Sequence, residues 1–411
     1  MARLDAVSLS EDGNTAHIGP GLLWYDVYDY LAQSNRTVAG GRFGPVGVGG
    51  LLLGGGINYF GSQVGWSANN VVNYEVVLAD GSIVHANASS NKDLSWALKG
   101  GSLNYGIVTR YDMKTIAIDK VWGGTLSYPV SSLDAFLDAV AGFVASDGGS
   151  ADALAAIDPM MYVVPSTGEI RPQAVLFHQT PGRAPAFENF TSSPATESTA
   201  GVRDLMDFAQ EQNGPAYADS SNRYPLTSHL LISSNFKVLI SFTCRNLFYV
   251  TALRATPDAV YLANTTFLNL AMTRLAAVPG FTTSITYQPI TKAWLEAARA
   301  ASGDAIDLDP DDGGLIGTPI LEEATCPSTN CVVVLIANIW TDPAQDTLST
   351  EFAQDAVAAL EAAAKEAGVY HPWINLNDAG AAQDPFATYG GGPSLARMKD
   401  IRDRYGMPLT G

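Results

Sequence analysis

The chain has 411 residues, 47% of them hydrophobic and 16% charged, the balance of a globular protein with room for roughly two or three domains. Its 23 basic and 41 acidic residues give a net charge of −18, which leaves no basic patch for nucleic acid or an anionic membrane. No apolar run is long enough to span a bilayer, and three cysteines do not make a disulfide framework.

Residues 4–10 and 15–19 read as two short strands around a Glu-Asp-Gly-Asn turn. Apolar spacing over residues 21–31 predicts a helix that ends before Ser34 and Asn35. Residues 40–59 follow, with nine glycines among twenty positions and one arginine, the rest mostly Val, Leu and Ile. A flexible linker would pair glycine with serine, and collagen would space glycine by three. The stretch therefore predicts a buried, tightly turning backbone that passes close to something flat or anionic, because glycine admits positive φ and close approach. The glycines alone also fit a packing turn between two core strands. No Gly-Lys-Ser/Thr follows, so it is not a P-loop, and no acidic residue completes a dinucleotide fingerprint. Residues 74–79 and 82–86 are strands joined by Asp80-Gly81, a two-residue hairpin signal, with a short helix at 93–98 and an apolar strand region at 106–118.

Four segments in this order carry a resemblance: 46–58 (Val-Gly-Val-Gly-Gly-Leu-Leu-Leu-Gly-Gly-Gly-Ile-Asn), Asn69-Asn70-Val71-Val72, residues 75–84 and residues 100–109. Together they resemble the second half of the FAD-binding domain of the vanillyl-alcohol-oxidase (PCMH-type) superfamily, nearest to the berberine-bridge-enzyme-like oxidases of fungi. The resemblance covers about residues 1–118 and again 372–411. It implies an α+β fold in three parts: a FAD-binding portion at 1–118, an antiparallel-sheet substrate domain with helices on one face at 119–371, and a closing segment at 372–411 that returns to the flavin. The family's earlier FAD lobe, with its Arg- and His-bearing loop, has no counterpart here. The chain is accordingly expected to bind FAD weakly or not at all, and a non-catalytic remnant stands beside the enzyme reading.

In the middle of the chain, helical spacing marks residues 133–144, 257–276 and 350–367. Strands are read at 160–164, 173–178, 229–233, 236–242, 284–289 and 332–339, and long loops at 179–226 and 302–330. Blocks of strands and helices joined by hairpins suggest an antiparallel sheet with helices on one face. Residues 394–405 read as a last amphipathic helix. Cys326 and Cys331 bracket a short loop and would close a disulfide in an oxidising compartment, whereas Cys244 reads as a buried thiol. Sequons occur at Asn35, Asn87, Asn189 and Asn264, a number chance alone accounts for. Relatives are typically secreted; the N-terminus shows no hydrophobic secretory core.

The resemblance implies FAD as cofactor, a small-molecule alcohol, amine or sugar hemiacetal as substrate and molecular oxygen as acceptor, with no metal; oligomeric state is left open. By the match of motifs, Gly44, Pro45, Val46, Gly47, Val48, Gly49 and Gly50 line the flavin ring. Asn70, Val71, Asn104, Gly106, Ile107 and Val108 line the ribose and adenine side, and Asn377 returns to the flavin with the closing segment. Val46 occupies the position that borders the flavin's oxygen-reactive carbon, where valine goes with oxidases. Phe43 occupies the position of the cysteine that bonds flavin in doubly linked relatives. Where relatives carry a Tyr-x-Asn-Tyr-like tetrapeptide this chain has Asn375-Leu376-Asn377-Asp378, so both tyrosines are replaced. A base must take a hydroxyl or amine proton as hydride leaves; the candidates are Asp378 and Tyr287, with Gln288 beside Tyr287 as a polar catalytic residue over the ring. The plainer alternatives are a turn-capping carboxylate for Asp378 and a core tyrosine for Tyr287.

Overall fold

A computed structural model describes residues 3–145, 147–211, 228–229, 241–242, 245–311 and 331–405. Two antiparallel sheets organise it. The first has five strands, β1 (Val7–Leu9), β2 (Thr15–Ile18), β3 (Val71–Val77), β4 (Ile83–Asn87) and β5 (Ile107–Lys114), in the order β1-β2-β5-β3-β4. The β3–β4 hairpin turns at Gly81, whose φ of +82° suits glycine. Helix α1 (Trp24–Ala32) and the short helix α2 (Val48–Leu53) lie between β2 and β3. They bury Trp24, Val27, Leu31, Val48 and Leu52 against Tyr74, Val76 and Tyr111 of the sheet.

The second sheet has nine strands. Its longer members are β6 (Lys120–Ser127), β7 (Ala155–Val164), β8 (Glu169–His178), β9 (Arg245–Arg254), β10 (Thr282–Ile290) and β11 (Cys331–Trp340), in the order β6-β8-β7-β10-β11-β9. The short strand Tyr370–His371 closes the β9 edge. Helices α3 (Leu133–Val144), α4 (Pro257–Arg274) and α6 (Asp346–Glu366) cover one face, with α5 (Lys292–Ala300) between β10 and β11. That face buries Phe136, Val260, Phe267, Phe352 and Leu360 against Met161, Leu176, Ile285, Tyr287, Val334 and Ile336. Successive strand side chains point to opposite faces, so the neighbours Met160, Thr286, Leu335 and Val250 belong to the other face. The registers Thr286 to Met160, Thr286 to Leu335 and Val250 to Leu335 align them in one row. The near-continuous apolar run of β11 follows from burial on both faces.

Local signals set several boundaries. Thr256 caps α4 by accepting from Ala259 N at 3.1 Å with Pro257 in the first turn, and Thr291 caps α5 by accepting from Trp294 N at 3.1 Å. The last helix, α7 (Pro393–Tyr405), carries Met398 and Ile401 into the first core. The sequence reading missed β6, β9 and α5, and the loop read at 179–226 contains the helices Glu188–Ser192 and Leu205–Glu211. β6 escaped because two glycines, Gly123 and Gly124, interrupt its pattern. Most of the strands read at 229–233 and 236–242, together with Cys244 and the partner proposed for Cys331, Cys326, lie outside the described residues. Asn264 is buried in α4, so its sequon presents no accessible acceptor. No helix among the described residues is long and apolar enough to cross a membrane.

Candidate functional site

Between the glycine-rich stretch and the open face of the second sheet lies a cavity of about 510 Å³. Its floor comes from Arg42, Phe43, Pro45, Val46, Gly47, Gly50, Leu51 and Gly54; its roof from Asp158 and Met160 of β7, Phe248 of β9, Thr286 and Gln288 of β10 and Leu335 of β11; its side wall from residues 375–378. The glycines here have distinct work. A Cβ on Gly47 or Gly50 would meet nothing within 4 Å, so at both positions the backbone itself faces the open space. A Cβ on Gly54 would fall 1.9 Å from Asn377 Oδ1. Asn377 Nδ2 donates to Leu51 O at 3.1 Å, which ties the closing segment to α2. The same segment docks on the sheet edge through Gln383, whose side chain donates to Val250 O at 2.6 Å and accepts from Val250 N at 3.1 Å.

One end of the cavity is polar and connected. Arg42 Nη1 lies 2.8 Å from Asp158 Oδ1, with side-chain exposures of only 10% and 1%. Arg42 also donates through Nη2 to Gln288 Oε1. Gln288 Nε2 donates to Asp378 Oδ2 at 3.0 Å, and Asn375 Nδ2 donates to the same oxygen at 2.8 Å. Burial pushes the Asp158 carboxyl above its ordinary range, a trend that Arg42 opposes and Asp378 reinforces. Burial works against the Arg42 charge as well, but Asp158, Tyr59 and Asp378 outweigh it and hold the guanidinium above its usual pKa. Both Asp158 carboxylate oxygens are buried, and beyond the Arg42 ion pair neither has a hydrogen-bond partner among the described residues.

Of the sequence-predicted residues, Pro45, Val46, Gly47, Gly50, Gln288, Asn377 and Asp378 line this cavity. The others do not. Gly44 accepts from Tyr25 N at 3.0 Å, Val48 is core, and Gly49 packs near Pro20. Asn70 spends its amide on Val64 O and Trp66 O at 3.1 and 3.0 Å, and Asn104 donates to Gly101 O at 2.7 Å. Val71, Ile107 and Val108 are paired in the first sheet, and Gly106, at φ +144°, leads into β5 beside Val77 O. Tyr287 is a correction: next to Gln288 on a strand, its side chain must take the opposite face, and it is buried in the helix-side core with no partner for its hydroxyl among the described residues. Sequence reasoning passed over Arg42, Asp158, Asn375, Met160, Phe248, Thr286 and Leu335. Two of these left a trace: Arg42 is the one charge in the glycine stretch, and Asp158 the one charge in the apolar strand β7.

Among the described residues no group of three His, Cys, Asp or Glu side chains converges on a metal-sized site. Bare glycine backbone below and the lining of Phe43, Pro45 and Leu51 fit a flat aromatic group such as the ring system of FAD, since no Cβ intrudes where it would approach. The FAD binding domain family matches residues 1–87. The FAD-dependent monooxygenase prx3 of Penicillium roqueforti is 37% identical over 409 residues, covering 98% of this chain and 73% of that protein. In structure, the chain is similar to xylooligosaccharide oxidase from Myceliophthora thermophila, with a TM-score of 0.67, 18% identity and coverage of 98% and 78%. It is also similar to a variant of berberine bridge enzyme, at 0.65, 15%, 100% and 79%. These relatives do not favour the reading of the chain as a remnant that has lost its cofactor. The chain shares its fold with the berberine bridge enzyme variant, and it belongs to the family of FAD-linked oxidoreductases that includes the fungal FAD-dependent monooxygenases.

Proposed function

We propose that the protein oxidises a small-molecule alcohol, amine or sugar hemiacetal in this cavity, with molecular oxygen as the final acceptor. The observation that carries the reading is the convergence of the glycine floor and the Arg42–Asp158–Gln288–Asp378 chain on one space. Bound FAD supplies the hydride acceptor. Gly47 and Gly50 leave room for it, and Asn377 fixes the helix beneath. Asp378 is oriented by two amide donors on one oxygen, which leaves its other oxygen to hold a substrate proton. Met160, Phe248 and Leu335 exclude water from the roof.

Val46 supports oxygen as acceptor. It lines the cavity at the family position beside the flavin's oxygen-reactive carbon, and a leucine there would fill the small apolar space oxygen needs. The test loads purified protein with FAD, screens alcohols, amines and oligosaccharides for anaerobic bleaching of the flavin band, then admits air. Bleaching by one class, with fast recovery and peroxide release slowed in Val46→Leu, is the expected result. Failure of all three classes to bleach the flavin removes the proposal, and equal recovery in both proteins removes Val46 from it. The relatives named monooxygenases favour a second reading, in which one oxygen atom enters the product. Labelled oxygen separates the two: an oxidase places the label in peroxide, a monooxygenase in product.

A further inference from the structure

We propose that the substrate is an amine, taken as its ammonium ion on Asp378 Oδ1 and Asn375 Oδ1. The inference rests on the reading of this cavity as the substrate site, with Asp378 taking the substrate proton, and it chooses among the three classes given above. Charge is the first observation. Among the described residues the lining carries one cation, Arg42, and two carboxylates, Asp158 and Asp378, a formal excess of one negative charge. Arg42 and Asp158 are only 10% and 1% exposed and bonded to each other, so that pair is closed and neutral. The charge left to face a guest is that of Asp378. A cation neutralises the lining, an alcohol leaves the excess in place, and a carboxylate doubles it with no free cation in the lining to offset it.

The second observation is the direction of the amides. A guanidinium cannot accept and a carboxylate cannot donate, so the chain from Arg42 to Gln288 Oε1 and from Gln288 Nε2 to Asp378 Oδ2 has one orientation. Asn375 is fixed in the same way, with Nδ2 on Asp378 Oδ2 at 2.8 Å. Both ends of Gln288 are spent, and the Gln288 and Asn375 amide nitrogens converge on one oxygen. What remains unengaged among the described residues is two neighbouring acceptors, Asp378 Oδ1 and Asn375 Oδ1. Neither is among the sealed, partnerless atoms, as both Asp158 oxygens are. Such a pair suits a head group that is all donor. An ammonium offers several N–H bonds and a charge, whereas each hydroxyl of an alcohol or sugar offers one O–H and brings lone pairs of its own. The proton that Asp378 takes then comes from nitrogen: one N–H bond breaks, an O–H bond forms at Oδ1, and nitrogen keeps the electron pair.

The experiment uses the FAD-loaded full chain and a matched series on one small body: tert-butylamine, tert-butanol and pivalate, with methyl glucoside as the sugar. The carbon bearing each tert-butyl head has no hydrogen, so binding is read without turnover, by calorimetry and by perturbation of the flavin spectrum. The amine is expected to bind about tenfold or more tighter than tert-butanol and methyl glucoside, as a hydrogen bond to a charged group implies, with pivalate weakest. Asp378→Asn keeps the shape and an acceptor for the two amides but removes the charge. It is expected to bring amine and alcohol to similar affinity and to improve pivalate. Equal binding of amine and alcohol, tightest binding of pivalate or methyl glucoside, no binding of any probe, or an amine preference that survives in Asp378→Asn each overturns the proposal. The wild-type series decides the matter even if the variant fails to fold. Anaerobic flavin bleaching by isopropylamine, isopropanol and glucose in the same preparation reports separately on the oxidation itself. Bleaching by isopropanol or glucose without the amine preference sinks only the amine assignment, whereas the preference without bleaching by any of the three sinks the oxidation.

Discussion

At the scale of single residues, the Arg42–Asp158 pair is the arrangement with the largest stake. Both ions are nearly dry, so each depends on the other. Removing one leaves a buried uncompensated charge, which costs about 3–5 kcal/mol, whereas replacing both by apolar groups is often close to neutral. Arg42→Met is therefore expected to lose about that much stability in urea unfolding, and Arg42→Met with Asp158→Leu to regain most of it. Comparable losses in the single and double variants would mean that the pair is not coupled. One residue further along the loop, Phe43 lines the cavity at the position where the family resemblance would put a flavin-linking cysteine, and its ring offers no sulfur. Denatured holoprotein is expected to carry no cysteinyl flavin, and mass spectrometry of its peptides checks this. The described cysteine, Cys331, is buried in β11 and does not line the cavity.

At the scale of elements, α2 is short and rich in glycine, a poor helix by propensity. Its glycines separate two requirements. Gly50 is inside the helix and faces open space, so Gly50→Ala is expected to stabilise the apoprotein by about 0.5–1 kcal/mol. The added methyl enters the cavity, and FAD affinity should fall at the same time. Opposite signs in thermal unfolding and FAD titration are the signature; unchanged FAD affinity would place the cofactor elsewhere. Gly54→Ala differs, because its Cβ collides with Asn377 and must push the 376–378 turn off α2. It is expected to lower both stability and FAD affinity.

At the scale of the whole molecule, the closing segment joins the two sheets. Trp66 from the first part, Trp294 from α5 and Trp373 from the closing segment meet with ring centroids 5.2 and 5.4 Å apart. Just before Trp373, His371 pairs with Ala252 on β9 and accepts from Trp373 N at 3.2 Å through Nδ1, a bond that needs an unprotonated nitrogen. Burial, with a smaller push from Arg254, lowers its pKa from 6.5 to about 4. The folded state thus holds His371 neutral where the unfolded chain would protonate it. Its contribution is complete above pH 6.5 and is lost as pH falls towards about 4. At roughly pH 5 the loss amounts to about 2 kcal/mol, at about 1.36 kcal/mol per unit. Thermal unfolding followed from neutral to mildly acid pH checks this, and His371→Asn should flatten the profile. An unchanged slope would assign the acid loss to other groups.

The sequence by itself determined what depends on near neighbours. The glycine stretch, the Asp80-Gly81 hairpin, the helices read at 133–144 and 257–276, and the apolar strand read at 332–339 were legible to within two residues because turn chemistry and hydrophobic period are local. Along the chain the family motifs pointed to Val46, Gly47, Asn377 and Asp378, which do reach one cavity. The alternation rule also requires that Tyr287 and Gln288 part company, but not which of them faces the cavity. That choice fell to the helices α3, α4 and α6, which claimed the Tyr287 face for their core. Likewise, Arg42 and Gln288 stand 246 residues apart, and nothing in either neighbourhood announces the other. An ion pair in a dry interior exists only once two sheets have closed over it, so the tertiary structure alone decided the polar end of the site.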